Sequence, residues 1–251
     1  MATRALLYRR PYEPSRLLVQ HGSQIYSVRL RRHRRARRYT LRIHPSDREA
    51  ILTMPPRGTI ADAKDFAQRH GGWIAARLGR LPKAAPFLPG TVVPLRGVAH
   101  KIVHRAGQRG TVWTETRESG ERILCVAGGA DHIERRVHDY LKREARKDLH
   151  KASLSYAQAM GVKVKRLSIR DQSSRWGSCT SAGSLSFSWR LILAPPYVLD
   201  YLAAHEVAHL VEMNHSTRFW RVVAKACGHV ERAKTWLDTH GNDLHRYGIQ
   251  D

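Results

Sequence analysis

Acidic residues are scarce in this chain of 251. Asp and Glu number 21 against 44 Lys and Arg, a formal net charge of +23. That balance favours contact with polyanions: nucleic acid, nucleotides or an anionic surface. Cysteine is scarcer still. Cys125, Cys179 and Cys227 are far apart and form no C-x-x-C pair. An odd, scattered set excludes a disulfide framework and fits a reducing compartment, so the expected location is the cytoplasm and the thiols are expected to be buried and inert. No apolar run approaches the ~20 residues of a membrane span, which excludes a membrane-embedded role for a helix. The opening residues also lack the continuous apolar core of a secretory signal. Lysine is absent from the first fifty residues, which hold thirteen arginines. No internal repeat is visible.

The hydrophobic share of 42% is enough for a folded chain with a core. Residues 1–22 read as a lead-in tail. Tyr26, Val28 and Leu30, then Tyr39, Leu41 and Ile43, alternate with polar residues, and Ile51-Leu52-Thr53 follows a turn-forming stretch. Between the first two strands lies RRHRRARR (31–38). Arginine suits bidentate phosphate contact, but no aromatic interrupts the run to stack a base. An exposed edge hairpin guarded by charge is the simpler expectation. Thr59 and Asp62 resemble a capping box opening one helix to about Leu81, weakened at Gly71-Gly72. Short β-like runs between Val92 and Val126 suggest a small antiparallel sheet. The expected organisation is therefore a tail (1–22), a basic β-rich region with one helix (23–130), and a further domain (131–251).

That last domain should open with a capping box at Asp131 and Glu134 and a long helix ending near Met160, with Gly161 as its cap. Strands are expected at Val164–Ile169 and at LSFSWRLILA (185–194), joined by the loop DQSSRWGSCTSAGS (171–184). Pro195-Pro196 suits the start of an amphipathic helix running to Met213-Asn214.

On that helix stand His205, Glu206 and His209, in the pattern H-E-x-x-H, with His215 six residues on. Residues four apart share a helix face, so two imidazoles can meet one metal ion. Ser216 can N-cap the following helix, which puts His215 at a corner from which it can return to that ion. Three neutral imidazoles suit a single Zn²⁺ with an open fourth position. The ion acidifies water there, and Glu206 is placed to act as general base and acid. His229, His240 and His245 are expected at the surface or at helix caps. In RDQSSRWGSC (170–179), Gln172, Arg175, Trp176 and Ser178 are candidate substrate-binding groups forming an opposite wall. The same residues also fit a tight turn in which Trp176 fills core.

RDQSSRWGSC, SLSFSWRLILAPPYVLDYLAAHEVAHLVEMNHSTRFW and SVRLRRHRRARRYTLRI together resemble the YgjP-like metal-dependent hydrolases. These are described as zinc metallopeptidases related to SprT and WLM-type proteases. The resemblance spans about residues 24–243. It implies an α+β fold, with a minimal zincin-like C-terminal domain of a small sheet, a long helix and the H-E-x-x-H helix. It also implies His205, His209 and His215 as ligands, Glu206 as the acid/base and a protein or peptide substrate, with nucleic-acid-associated proteins suggested by the charge and the SprT kinship. Glu212 stands where a metzincin has glycine, and no later glutamate ligand is evident. Two alternatives share the motif: a nucleotide pyrophosphatase using the same metal, and a nucleic-acid-binding module in which the zinc is structural and Cys179 is the nearest candidate for a fourth ligand.

Overall fold

The computed structural model describes residues 7–8, 12–45, 47–172 and 175–248. Residues 1–6 and 9–11 of the expected tail, and Ser173 and Ser174 of the loop, lie outside this set. The chain divides into two compact units, Met1–Pro82 and Lys83–Asp251.

The first unit is built on a sheet of five strands: β1 (Leu7–Tyr8), β2 (Arg16–His21), β3 (Gln24–His33), β4 (Thr40–His44) and β5 (Glu49–Met54). The expected tail thus contains β2, which pairs antiparallel with β3 from Arg16↔Arg29 to His21↔Gln24. Strand β3 is not an edge. It also pairs with β5, in parallel, and β4 closes the far side antiparallel to β5. Two helices follow where one was expected: α1 (Ile60–Arg69) and α2 (Gly71–Gly79). Thr59 caps the first as expected, its Oγ1 accepting from Asp62 N at 3.1 Å. The break at His70 lets Gly71 lie against β2; a Cβ there would stand 3.3 Å from His21 Cβ. Val19, Val28, Leu52, Met54, Ala63, Ala67 and Ile74 form the unit's core. Within the arginine run, Arg32 is 3% exposed. It pairs with Glu13 and donates to the carbonyls of Pro55, Pro56 and Gly58 at 2.8–2.9 Å.

The second unit opens with β6 (Val92–Leu95), β7 (Val98–Arg105), β8 (Val112–Thr116) and β9 (Arg122–Ala127), ordered β6-β7-β9-β8. The sheet is mixed rather than antiparallel, because β7 and β9 run parallel. Its inner face (Val93, Leu95, Ile102, Leu124, Val126) shares one core with the following long helix, α3 (Ile133–Ala159). Residues 83–130 therefore belong with the C-terminal elements, and the internal boundary falls at Pro82/Lys83 rather than at 130. A polar clamp reinforces the join. Arg96 binds Asp148 twice, at 2.7 and 2.9 Å, and Glu144 at 2.8 Å. Beside it, Gly97 has φ +76° and lies 3.0 Å, measured from an added Cβ, from Pro195 Cα. A short 3-10 turn, Ala130–His132, precedes α3 in place of the expected capping box.

A three-stranded sheet comes next: β10 (Arg166–Arg170), β11 (Gly177–Cys179) and β12 (Ser184–Ser188), in the order β10-β12-β11. Strand β12 stops at Ser188. Its hydroxyl accepts from Arg190 N and turns the chain into a buried 3-10 segment, Trp189–Leu193, where a longer strand was expected. Helix α4 (Pro196–Ala208) starts at Pro196, and α5 (Thr217–Ala226) and α6 (Val230–His240) follow. Helix α4 is not amphipathic. Val198, Leu199, Tyr201, Leu202, Ala203, Ala204, Val207 and Ala208 are all buried, so it runs through the core of its unit. Full burial of each large apolar side chain contributes ~1.5–3 kcal/mol, which makes α4 a rigid mount. Among the described residues no helix is long and apolar enough to cross a membrane.

Candidate metal centre

Helix α4 ends at Ala208, with His209 as its C-cap still in helical geometry (φ −62°, ψ −20°). The early stop leaves the four-residue spacing of His205 and His209 intact, so both rings point to one side. The chain turns through residues 210–214. Ser216 then caps α5, its Oγ accepting from Phe219 N at 3.3 Å. His215, immediately before the cap, is delivered to the other two. The three imidazoles each place a ring nitrogen within 4.8 Å of the others.

The rings are held from behind. Phe219 is fully buried and lies 4.5–4.9 Å, centroid to centroid, from all three. Trp220 flanks His205 and His215 at 5.8 and 5.9 Å. His209 Nδ1 lies 3.2 Å from the Glu212 carbonyl oxygen. A carbonyl only accepts, so Nδ1 carries the proton and Nε2 keeps its lone pair for a metal. Burial, with His209 and His215 alongside, pushes His205 down to about 4. Burial also lowers His209. Both rings are thus neutral, as metal ligands must be.

This donor set fits a zinc ion. The Nε2 atoms of His205 and His215 stand 3.1 Å apart. Two nitrogens sharing a tetrahedral zinc at ~2.0–2.1 Å stand about 3.3 Å apart. Cys179 is not part of the convergent group. Its Sγ donates to the Thr180 carbonyl at 3.4 Å, and burial together with Glu206 pushes its thiol up to about 11.

Glu206 is 5% exposed, and burial pushes its carboxyl up to about 7, against the pull of Arg175. Its seat is Gly177, the first residue of β11. A Cβ on Gly177 would stand 2.7 Å from Glu206 Cγ and 2.8 Å from Cδ. Only hydrogen there lets the carboxylate lie against the strand. A glycine within a strand can mark close approach of another group, but residues 171–184 read as a loop, so the strand that gives Gly177 this meaning came only with the structure.

The four residues expected to form an opposite wall sit in different surroundings. Arg175 is exposed and acts on Glu206 through its charge. Gln172 donates to Ser186 Oγ at 3.1 Å, and Ser178 is opposite Ser186 in the ladder, so both stiffen the sheet. Trp176 turns away to the C-terminal segment, stacking on His245 at 5.0 Å and resting against Gly241. His245 is consequently buried rather than at the surface. Asp171 of the same loop pairs with the buried Arg190. Tyr201, whose hydroxyl lies 3.5 Å from His205 Nδ1, and Phe219 are parts of the site not singled out from sequence. Tyr201 stands four residues before His205 on the same face of α4, and Phe219 stands in the first turn of α5, just after His215 and the Ser216 cap.

The arrangement is that of a zincin-like α+β domain, with its H-E-x-x-H helix lying against an edge strand. A family model described as "YgjP-like, metallopeptidase domain" matches residues 37–240, and the chain belongs to the YgjP-like family. No curated protein and no solved structure matches it.

Proposed function

We propose that the chain is a zinc-dependent peptidase, with His205, His209 and His215 holding one Zn²⁺ and Glu206 moving the proton. The observation that carries this is the convergence of three imidazoles beside a buried glutamate seated on Gly177. When bound, the ion supplies Lewis acidity towards water and towards a scissile carbonyl. Glu206 takes a proton from the attacking water and returns it to the leaving amine. A carboxyl poised near neutrality suits both halves of that transfer. Strand β11 pairs with β12 on one side, and its other edge offers backbone groups of Gly177, Ser178 and Cys179 to an extended peptide. Arg175, exposed and close enough for its charge to act on Glu206, is the group we assign to acidic or polarised oxygen of the substrate. The charge of +23 favours protein substrates bound to nucleic acid or other polyanions.

The test is cleavage of a broad peptide and basic-protein panel by zinc-loaded protein, with and without DNA. Glu206→Gln should abolish turnover while keeping the metal. Equal inactivity of wild type and variant across the panel, or diphosphate release from nucleoside triphosphates in its place, would overturn the peptidase reading.

A further inference from the structure

Helix α4 carries a second chemical group on its first half. Asp200 meets the corner between α5 and α6, where Cys227 caps the end of α5 and His229 the start of α6. A carboxylate oxygen, a thiol sulfur and an imidazole nitrogen from these residues all lie within 4.8 Å of one another. Asp200 Oδ2 accepts from the Tyr156 hydroxyl at 2.5 Å and stands 3.1 Å from His229 Nε2. Yet His229 Nε2 is buried and has no hydrogen-bond partner, so that approach is not in hydrogen-bonding geometry. A buried ring nitrogen without a partner is destabilising, and a cation between nitrogen, carboxylate and sulfur removes that penalty. Access is available from two sides. A cavity of about 620 Å³ is lined by Cys227 and His229, and another of about 540 Å³ by Asp200 and His229.

We propose that Asp200, Cys227 and His229 form a second divalent-metal site, separate from the three histidines. One carboxylate, one thiolate and one imidazole are a zinc-class donor set, with water from the adjoining cavities completing it. Binding releases the Cys227 thiol proton to solvent as the sulfur–metal bond forms. Tyr156 holds the carboxylate in place. The site is structural: it ties α4 to the far end of α5, the helix whose near end follows His215. Both ends of α5 are then fixed to α4 through metal ligands, and the His215 ring cannot drift from His205 and His209.

Cobalt(II) tests this whichever divalent ion the site holds in the cell. Thiolate-bound cobalt has a near-ultraviolet charge-transfer band, which an all-histidine site lacks. Metal-free full-length protein titrated with Co²⁺ should bind two equivalents and develop that band. The chain has three cysteines. A Cys125→Ser/Cys179→Ser variant, untouched at the proposed site, should keep the band, and Cys227→Ser should lose it with one equivalent. His205→Ala/His209→Ala should lose the other equivalent and keep the band. A single equivalent without the band in wild type, or a band lost in the Cys125/Cys179 variant, would overturn the assignment. Because the two sites are read by different signals, failure here leaves the three-histidine centre standing.

Discussion

Gly177 Cα lies so close to the Glu206 side chain that a methyl group on it would stand 2.8 Å from the carboxyl carbon. Gly177→Ala must therefore move either β11 or the carboxylate. The three atoms nearest such a methyl group all belong to Glu206, and Gly177 is not part of the three-histidine group, so metal content should not change. Peptide turnover should fall about 100-fold, the scale of a misplaced catalytic group. Zinc content by elemental analysis, measured beside turnover, checks both halves, and wild-type activity in the variant would show that Glu206 is not seated there.

Glu206 also sets a pH dependence in the metal-free protein. Its carboxyl rises from 4.5 to about 7 on burial, so the folded state binds a proton that the unfolded state has lost across that window. This contribution to stability is present below pH 4.5 and is lost as pH rises towards 7. Glu206→Gln removes the burden of the charge. In chelator, the variant should melt above wild type at about pH 8, and the difference should shrink at about pH 5. Comparing the two proteins at each pH cancels the other titrations, and a constant difference across the range would refute the argument.

Local chemistry made part of this structure readable from sequence. The spacing of His205 and His209, the caps at Thr59 and Ser216 and the helix start at Pro196 depend on neighbours within four residues. What escaped was long-range. Nothing near Val103 or Cys125 in sequence says that β7 and β9 pair in parallel, and nothing near Arg96 points to Asp148. The boundary was misplaced for that reason: the turn at residues 127–132 looks like a linker until the faces of β7 and β9 are seen buried on α3. Helix α4 reads as amphipathic because Asp200, His205 and Glu206 interrupt an otherwise apolar run, yet nearly all of the helix is buried. The alternation after Ser188 continued as hydrophobic burial in a 3-10 turn rather than as a strand.

The arginine run separates the same way. Arg32 is buried, with four partners, while Arg37 and Arg38 are exposed. Arg32→Ala takes the guanidinium away from the Glu13 carboxylate and from three backbone carbonyls, a loss of about 3–5 kcal/mol for a broken buried pair. Arg37→Ala should stay within about 0.5 kcal/mol. Urea unfolding followed by circular dichroism distinguishes them. Equal effects would mean that the run acts only as surface charge.

Ser216 governs the third histidine from one residue away. Its hydroxyl accepts from Phe219 N, which starts α5 and fixes the Phe219 ring behind His205, His209 and His215. Ser216→Ala leaves every proposed ligand in place but frees the first turn of α5. The cap is worth about 1 kcal/mol of stability. The larger consequence falls on the metal, because an unfixed His215 must be ordered at the moment of binding; affinity should drop about 10-fold, as when a supporting residue of a metal site is lost. Competition against a chromophoric chelator measures this directly. Ser216→Asp, which caps equally well, should restore both stability and affinity. If the aspartate variant restored stability alone, the hydroxyl would be acting on His215 by some route other than the cap.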